Sequence, residues 1–358
     1  MDSLTQIVLG STIAALVTPN HHQRSALLAG AVLGTLPDLD TIWFNLVRSD
    51  AITTVTWHRG PSHSLMVLAI SGWLLWLLLK RFNTPVRESP RSWLWAIWLA
   101  LLTHPLLDAF TVYGTQLLWP LQTPPVMWAT IFIIDPLYTI PLLVGVIAAW
   151  FISKQDIQRR INDSRNHLLA RKWLTAGLIL SSLYLSWSVT AKFWINQIVT
   201  HNLVPMGLEH APRFSTPTPF NTFLWRVIVM TSDGYYVGDR SLIVDRGAMS
   251  FKFYPSDQKA LKQLSSTPEL QRLLWFTHGF AAAQVKQQDD GEPRLIISDL
   301  RMGLEPNYFF RFEIARQNEQ NNWTLIFPIT QVPDSTNHVK TLSWVWHRLW
   351  NSVPLPLP

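Results

Sequence analysis

The first half of the chain carries few ionisable side chains outside its basic loops, and those few stand at the ends of apolar stretches. The candidates for chemistry among them are Asp38, Asp40, His58, Arg59, His63, His104 and Asp108. Ionisable groups inside a membrane are costly and usually serve a function. Because imidazole and carboxylate groups together are typical ligands of zinc and other borderline divalent ions, this set predicts a metal site.

The spacing of these residues supports one shared site. His104 and Asp108 are four residues apart, which places both on one face of a helix. Asp38 and Asp40 are two residues apart, so in extended backbone they point to opposite sides. One of these two aspartates is then expected to bind the ion and the other to orient a neighbour. The two histidines that precede the third apolar stretch bracket a Gly-Pro turn, which can bring both rings inward.

Apolar helices are the elements that must position these residues. With 48% hydrophobic and only 15% charged residues, the chain lies far from the roughly 25% charge of a soluble domain. It has no cysteine, which excludes disulfides, iron–sulfur clusters and thiolate-bound zinc. Apolar stretches occupy residues 4–17, 25–36, 64–79, 93–107, 126–151 and 173–191. Because a span needs about 20 apolar residues, we expect a membrane α-helical bundle of about six hydrophobic helices, the first two short.

Lysine and arginine positions predict the orientation of this bundle. Ten basic residues occupy the loops at 80–92 and 153–172, whereas segment 109–125 has none. Since basic loops stay in the cytoplasm, the ends of the helices that carry the histidines and aspartates are expected on the outer side. Residues after 195 follow one further crossing and are expected on the same outer side.

From about residue 212 the pattern changes to that of a soluble α+β C-terminal domain. The expected strands are 223–230, 235–237, 242–244, 294–297, 308–314 and 323–327, with Asp233-Gly234 as a hairpin turn and one amphipathic helix over 256–276. The predicted organisation is a helical membrane domain at 1–200, a linker at 201–221, the α+β domain at 222–345 and a Pro-rich tail at 346–358. Residues 1–200 hold 14 basic and 9 acidic residues, against 15 and 14 in 201–358. The net charge of +6 therefore lies in membrane loops, and we expect no nucleic-acid partner.

Four short segments form a further pattern. They are MDSLTQ at the start with Gly10, PDLD at 37–40, HRGPSHSL at 58–65, and HPLLD at 104–108 with Thr111 and Gly114. Together they resemble the YdjM-like family of bacterial inner-membrane proteins, described as predicted metal-dependent hydrolases, over about residues 1–150. That family is distantly similar to zinc-dependent phospholipases C and single-strand nucleases. The resemblance implies that Asp38 or Asp40, His58 or His63, His104 and Asp108 bind metal.

The chain departs from the family pattern at one position. Many relatives have histidine where this chain has Gln6, and glutamine is a poor zinc ligand. Either the site has one imidazole fewer, or Gln6 hydrogen-bonds a bound water or substrate.

The leading hypothesis is a membrane-embedded hydrolase in which a divalent ion, zinc first, lowers the pKa of a bound water to about 7. Its substrate would be an ester or phosphoester, with a lipid head group among the candidates. The expected metal ligands are Asp38, His63, His104 and Asp108, with His58 next. Asp40 and Arg59 are the expected catalytic residues. Arg59 would bind an anionic phosphate oxygen, or else reach the lipid head groups as an interfacial arginine.

Two other functions remain open. The same histidines and aspartates could relay metal or protons in a transporter, or the helices could be a non-catalytic anchor that presents the C-terminal domain. The lipid bilayer is the expected partner in every case. The oligomeric state stays open.

Overall fold

The computed structural model describes residues 1–47, 49–155, 163–287, 292–318, 320, 322–333, 336–353 and 356–357. Two of the ten basic loop residues, Arg159 and Arg160, and parts of the predicted tail lie outside the described residues. The chain divides into two compact units. The first comprises Met1–Trp43, His58–Trp128 and Ile133–Ser188, and the second comprises Phe44–Trp57, Ala129–Phe132 and Val189–Pro358.

Apolar helices dominate the N-terminal part of the chain. In chain order the helices there are α1 (Ser3–Val17), α2 (Gln23–Thr35), α3 (Asp40–Leu46), α4 (Ala51–Trp57), α5 (Leu65–Phe82), α6 (Thr84–Glu88), α7 (Pro90–Ala109), α8 (Pro136–Gln155) and α9 (Asp163–Leu203). Within the described ranges, the segments long and apolar enough to cross a membrane are Asn20–Leu46, Leu65–Phe82, Pro136–Ser153 and Arg165–Met206. The expectation of several membrane helices is therefore confirmed, while the number six stays a prediction.

The fifth apolar stretch is helical over only part of its predicted length. Residues 126–135 contain no helix, and α8 begins at Pro136. Proline has no backbone N–H to bond to a preceding turn, and its fixed φ suits the first position of a helix. Hydropathy alone therefore does not show that the helix begins in the middle of this apolar stretch.

Helices α1 and α2 approach each other closely through glycine. A Cβ added at Gly10 would lie 2.3 Å from the carbonyl oxygen of Gly30, and one added at Gly34 would lie 2.3 Å from the carbonyl oxygen of Gln6. No side chain fits at either position, and such small-residue contacts are typical of helices packed in membranes. The contact holds Gln6 and Gly34 as neighbours, and both face α7 through the hydrogen bonds described below.

Antiparallel sheets build the C-terminal part of the chain. The strands are β1 (Arg213–Pro217), β2 (Leu224–Met230), β3 (Gly234–Ser241), β4 (Lys252–Pro255), β5 (Ala281–Gln287), β6 (Pro293–Asp299), β7 (Gly303–Leu304), β8 (Asn307–Tyr308), β9 (Arg311–Gln317) and β10 (Trp323–Gln331). They form four-stranded sheets in the orders β1-β2-β3-β4 and β10-β9-β6-β5, with β7 and β8 as a separate pair. The helices are α10 (Gln258–Leu264), α11 (Pro268–Phe276) and α12 (His338–Trp350). The expected sheet-rich domain is confirmed.

Local predictions in this domain have mixed outcomes. The Asp233-Gly234 hairpin is confirmed, because β2 and β3 pair with Met230 opposite Tyr235. The strand expected at 242–244 is wrong, because the Ser241 hydroxyl accepts hydrogen bonds from the N–H groups of Ile243 and Val244 and the chain turns there. The single helix expected over 256–276 is two helices, since Pro268 cannot continue the first and begins the second. Strand β1 falls in the stretch interpreted as a linker, and the domain boundaries stay a prediction.

Candidate metal centre

Four ionisable side chains from three segments meet in the first unit. Asp38 lies in a 3-10 turn at Leu36–Leu39, and His63 lies in another at Pro61–His63. His104 and Asp108 stand one turn apart on α7. His63, His104 and Asp108 are fully buried, whereas the Asp38 side chain keeps 23% exposure. The structure therefore brings together the four residues expected to be the main ligands, with Asp38 on the accessible side.

The donor atoms of these four side chains have the spacing of a tetrahedral metal site. His63 Nε2 lies 3.1 Å from His104 Nε2, and 3.3 Å from both Asp38 Oδ1 and Asp108 Oδ2. His104 Nε2 lies 3.4 Å from Asp38 Oδ1 and 3.6 Å from Asp108 Oδ2. With metal–ligand bonds of roughly 2.0–2.2 Å, neighbouring ligands of a tetrahedral ion stand about 3.3–3.6 Å apart. These five distances fit one shared ion, and single donor atoms of the four residues all lie within 4.8 Å of one another.

Hydrogen bonds fix both imidazoles in the tautomer that a metal ligand needs. His104 Nδ1 lies 2.6 Å from the Gly34 carbonyl oxygen, which can only accept, so Nδ1 carries the proton. The Ser62 hydroxyl donates to Asp40 Oδ2 at 2.6 Å, and its oxygen then accepts from His63 Nδ1 at 2.9 Å. In the neutral rings both Nε2 atoms consequently hold lone pairs, and these face each other. Two lone pairs at this distance repel unless a cation stands between them.

The charges around these nitrogens also favour a cation. Within the described part of the chain, no hydrogen bond reaches Asp38 Oδ1 or Asp108 Oδ2. Burial by itself lowers the pKa of His63, which lies in a turn before α5. The Asp108 and Asp38 carboxylates outweigh that effect and raise the pKa above its usual value. The centre thus attracts positive charge, and a divalent ion would bind the two oxygens that accept no hydrogen bond, Asp38 Oδ1 and Asp108 Oδ2.

Asp40 and His58 lie next to the four donors but are not among them. Asp40 Oδ1 is 2.8 Å from His58 Nδ1, and Oδ2 accepts from Ser62 Oγ and from the Arg59 backbone N–H at 3.2 Å. This carboxylate ties together the segment that contains His63. The extended backbone expected at the two aspartates is wrong, because Asp38 lies in a 3-10 turn and Asp40 begins α3. The orienting role of one aspartate stays a prediction. The structure does not bring His58 into the four-donor group, and its role as a ligand stays a prediction.

Arg59 lies directly beside the centre. Its Nε is 3.1 Å from Asp108 Oδ2, its Nη1 donates to Thr111 Oγ1 at 3.2 Å, and its guanidinium stands 4.8 Å from the centre of the Tyr113 ring. At 4% exposure the side chain is too buried to reach head groups as an interfacial arginine. Its φ of 61° is left-handed, a conformation that costs a non-glycine residue on the order of 1 kcal/mol or more and is typical of functional sites.

Sequence reasoning missed several supporting side chains. Ser62 is adjacent to a ligand in the sequence, and that adjacency was an available signal, whereas nothing in the sequence pointed to Tyr113. Gln6 Nε2 donates to Asp108 Oδ1 at 3.0 Å and to the His104 carbonyl at 3.3 Å. The Met1 amino group contacts the same Oδ1 atom. Gln6 therefore orients a ligand, a role that neither of its two predicted alternatives included.

A second group of metal-type side chains consists of His21, His22 and Glu88. Trp93 Nε1 donates to His22 Nδ1 at 3.2 Å, so the ring proton is on Nε2, which lies 2.9 Å from Glu88 Oε2. Both nitrogens of His22 are thus occupied by protein partners. This group resembles a structural hydrogen-bond chain more than a metal site.

The apolar helices and the buried donor set define the class of the molecule: a membrane protein with several apolar helices, a candidate metal centre and a sheet-rich C-terminal domain. Comparison with known proteins gives the family. The profile of the YdjM inner membrane protein family matches residues 1–195, and the chain belongs to that family. The chain is also similar to a Bacillus subtilis (strain 168) protein named "Uncharacterized protein YfhP", with 24% identity over 245 residues that cover 66% of this chain and 68% of the relative. No solved structure matches the chain.

Proposed function

We propose that the protein is a membrane-embedded, metal-dependent hydrolase of esters or phosphoesters, with a lipid head group as the leading substrate. The observation that carries this proposal is the set of four donor atoms at tetrahedral spacing beside a buried arginine. Such a set is expensive to bury next to lipid unless it is used. The family name supports an inner-membrane location, where lipid phosphoesters are abundant.

The ligand set suits zinc. Asp38, His63, His104 and Asp108 would hold the ion through two imidazole nitrogens and two carboxylate oxygens, which zinc accepts readily. When bound, the ion would act as a Lewis acid and lower the pKa of a coordinated water to about 7. Burial of three of the four ligands would keep competing bulk water away from these groups.

The neighbouring residues have separate roles in this proposal. The Arg59 guanidinium, which donates a hydrogen bond to Thr111 Oγ1, binds the anionic oxygen of a phosphoester. Asp40 holds Nδ1 of His58, which leaves His58 Nε2 as the atom able to accept a proton from water or return one to the leaving group. Metal binding by His58 would use the same Nε2 atom, so His58 cannot bind the metal and transfer a proton at the same time.

The membrane arrangement belongs to the same proposal. Six helices cross or enter the bilayer, with α1 and α2 as the short pair and α5, α7, α8 and α9 as the others. The proposed membrane domain, linker, α+β domain and tail are 1–200, 201–221, 222–345 and 346–358. Strand β1 of the linker range pairs with β2, and Leu349 of the tail range packs against Leu224, so both ranges also contribute to the α+β domain. The basic loops at 80–92 and 153–172 support a cytoplasmic side opposite the metal centre. The C-terminal domain then lies on the outer side of the membrane.

The number of ligands favours a second candidate function. Four protein ligands fill a tetrahedral ion, which is typical of structural zinc, whereas catalytic zinc keeps a position open. A non-hydrolytic site, in a metal or proton transporter or in an anchor for the C-terminal domain, would have this closed form. The exposure of Asp38 supports hydrolysis instead, because a ligand on the accessible side can yield its place to water or substrate.

One set of measurements distinguishes these functions. The purified protein is analysed for bound metal and then assayed with a chromogenic phosphodiester and a chromogenic ester, with and without a chelator. Hydrolysis that disappears on chelation and in His104→Ala is the expected result. His210→Ala is the matched control, because that imidazole is 96% exposed. If the protein binds metal but shows no turnover, and if it carries zinc or protons into liposomes, the hydrolase proposal is rejected in favour of a transporter.

A further inference from the structure

Helix α12 (His338–Trp350) carries apolar residues on two faces. Trp344, Val345 and Leu349 are buried and pack against Leu224 and Leu304. A second set faces outward: Val339 at 78% exposure, Leu342 at 38%, Trp346 at 66% and Trp350 at 49%. At about 100° per residue these four lie within a wedge of about 80°. We call them the α12 stripe.

The α12 stripe is too continuous to be ordinary surface. Single exposed apolar residues are normal on proteins, but a row that includes two tryptophans marks an interaction surface. The rings of Trp346 and Trp350 contact each other with centroids 5.8 Å apart. Val353, just beyond the end of the helix, extends the row at 74% exposure. Something apolar is therefore expected to cover this face.

The charges beside the α12 stripe match an anionic lipid surface. Residues 335–358 contain no aspartate or glutamate. Exposed Lys340 and half-buried His347 follow one flank of the stripe, while the guanidinium of Arg348 on the inner face is paired with Asp245. Exposed tryptophans on an amphipathic helix, with Lys340 on their flank and no acidic residue within 335–358, fit a helix that lies in the head-group layer.

The same compact unit includes the end of a candidate membrane-spanning segment. That unit contains residues 189–203 of α9, the end of the apolar segment Arg165–Met206. The start of the sheet is tied directly to this helix. Ser215 Oγ donates to Asn196 Oδ1, and Arg213 Nη2 donates to Thr200 Oγ1, both at 2.8 Å. The domain that carries α12 is thus fastened by hydrogen bonds to the C-terminal part of the helix that contains this segment.

We propose that α12 is a second membrane contact, in which the α12 stripe enters the head-group layer of an anionic bilayer and Lys340 pairs with lipid phosphate. The C-terminal domain is then held flat on the membrane at two points, the end of α9 and α12. This contact does not depend on the metal centre or on any hydrolytic activity.

The test uses the absence of native cysteine. Single cysteines are introduced as Trp346→Cys, Val339→Cys and, as a control at an exposed polar position on α10, Gln263→Cys, in the full chain. Each is spin-labelled in nanodiscs of phosphatidylethanolamine and phosphatidylglycerol that hold one chain each. Collisions with oxygen and with a water-soluble nickel chelate are then compared.

We expect the labels at 346 and 339 to be less accessible to the nickel chelate, and more accessible to oxygen, than the label at 263. Nanodiscs of phosphatidylcholine alone, or the additional change Lys340→Glu, should restore part of the nickel accessibility. Equal nickel accessibility at 346 and 263 would overturn the proposal, as would protection seen only when two chains share a nanodisc, because a second copy would then be the occupant. An unchanged circular dichroism spectrum and thermal unfolding midpoint of each variant serve as the check that the chain is folded.

Discussion

Removal of one hydroxyl, in Ser62→Ala, should weaken metal binding without removing any ligand. The Ser62 hydroxyl stands between Asp40 Oδ2, at 2.6 Å, and His63 Nδ1, at 2.9 Å. It therefore holds the His63 ring with its Nε2 lone pair directed at the other donors. Asp40 cannot take over this function unaided, because its Oδ2 is 4.0 Å from His63 Nδ1, beyond hydrogen-bond distance.

The expected loss of metal affinity follows from the hydrogen-bond partner that the His63 ring loses. In Ser62→Ala the Nδ1 proton has no acceptor, and the tautomer that places the proton on Nε2 becomes competitive. Loss of partners that orient metal ligands typically lowers metal affinity by about 10- to 100-fold, which corresponds to about 1.4–2.7 kcal/mol. Because the Ser62 hydroxyl serves both the ligand ring and the Asp40 carboxylate, we place Ser62→Ala within that range. Ser62→Thr keeps the hydroxyl and should lose much less.

The assay is a zinc competition titration of the detergent-purified protein against a chromophoric chelator. Ser71→Ala is the matched control, because the Ser71 hydroxyl bonds only carbonyl groups of its own helix among the described residues, at 2.6 and 3.4 Å. If Ser62→Ala binds zinc as tightly as Ser71→Ala, the hydrogen-bond relay has no role in the centre and the tautomer argument fails. If Ser62→Thr loses as much as Ser62→Ala, packing rather than the hydroxyl is responsible.

Three further predictions concern ligands, pH and orientation. His104→Ala and Asp108→Ala should lose metal and activity together. Arg59→Ala should keep its metal and mainly raise KM for an anionic substrate. Equal metal content in the wild type and both ligand variants would contradict the mechanism. Zinc affinity should fall as pH falls, because His63 must lose its proton to bind. Since its pKa is raised above the usual 6.5, the fall should begin above pH 6.5, and a titration of affinity that stays flat there would refute it. Alkaline phosphatase fused at the C-terminal end should be active and a fusion within 155–165 inactive; the reverse pattern would overturn the orientation.

Much of the site could be predicted because two physical signals coincide at its residues. Charged groups are rare near lipid, so Asp108 and His104 stand out, and their i,i+4 spacing fixes a common helix face. The supporting contacts gave no such signal. Nothing in the residue types shows that Gly34 presents its carbonyl oxygen to His104, because that contact depends on how closely α1 and α2 pack. Likewise, the sequence pattern predicts a missing ligand at Gln6, although the Gln6 amide donates a hydrogen bond that holds Asp108 in place.

The fold was predictable where hydropathy is strong and failed where backbone chemistry decides. Pro136 and Pro268 each begin a helix inside a run that reads as continuous, since their effect is on the backbone and not on polarity. The turn after Ser241 is similar: an apolar run looks like a strand, but one hydroxyl captures the N–H groups that a strand would need.

Asp38 should be the ligand that opens the centre, and this gives the last prediction. Each of the other three ligands is held by a second partner: His63 by Ser62, His104 by the Gly34 carbonyl and Asp108 by Gln6. No hydrogen bond in the described residues reaches Asp38 Oδ1, and its side chain is the one with 23% exposure. A ligand held this loosely exchanges most easily with water or substrate, and its loss leaves three ligands, the number typical of catalytic zinc.

Asp38→Ala should therefore keep measurable zinc with reduced affinity, while Asp108→Ala, in which Arg59 also loses its buried partner, should lose it. Isothermal titration of both variants gives the comparison, with His210→Ala as the reference. If Asp38→Ala loses zinc as completely as Asp108→Ala, all four ligands are equivalent. A closed site of that kind would favour the non-hydrolytic function, because no position would be left for the reacting water.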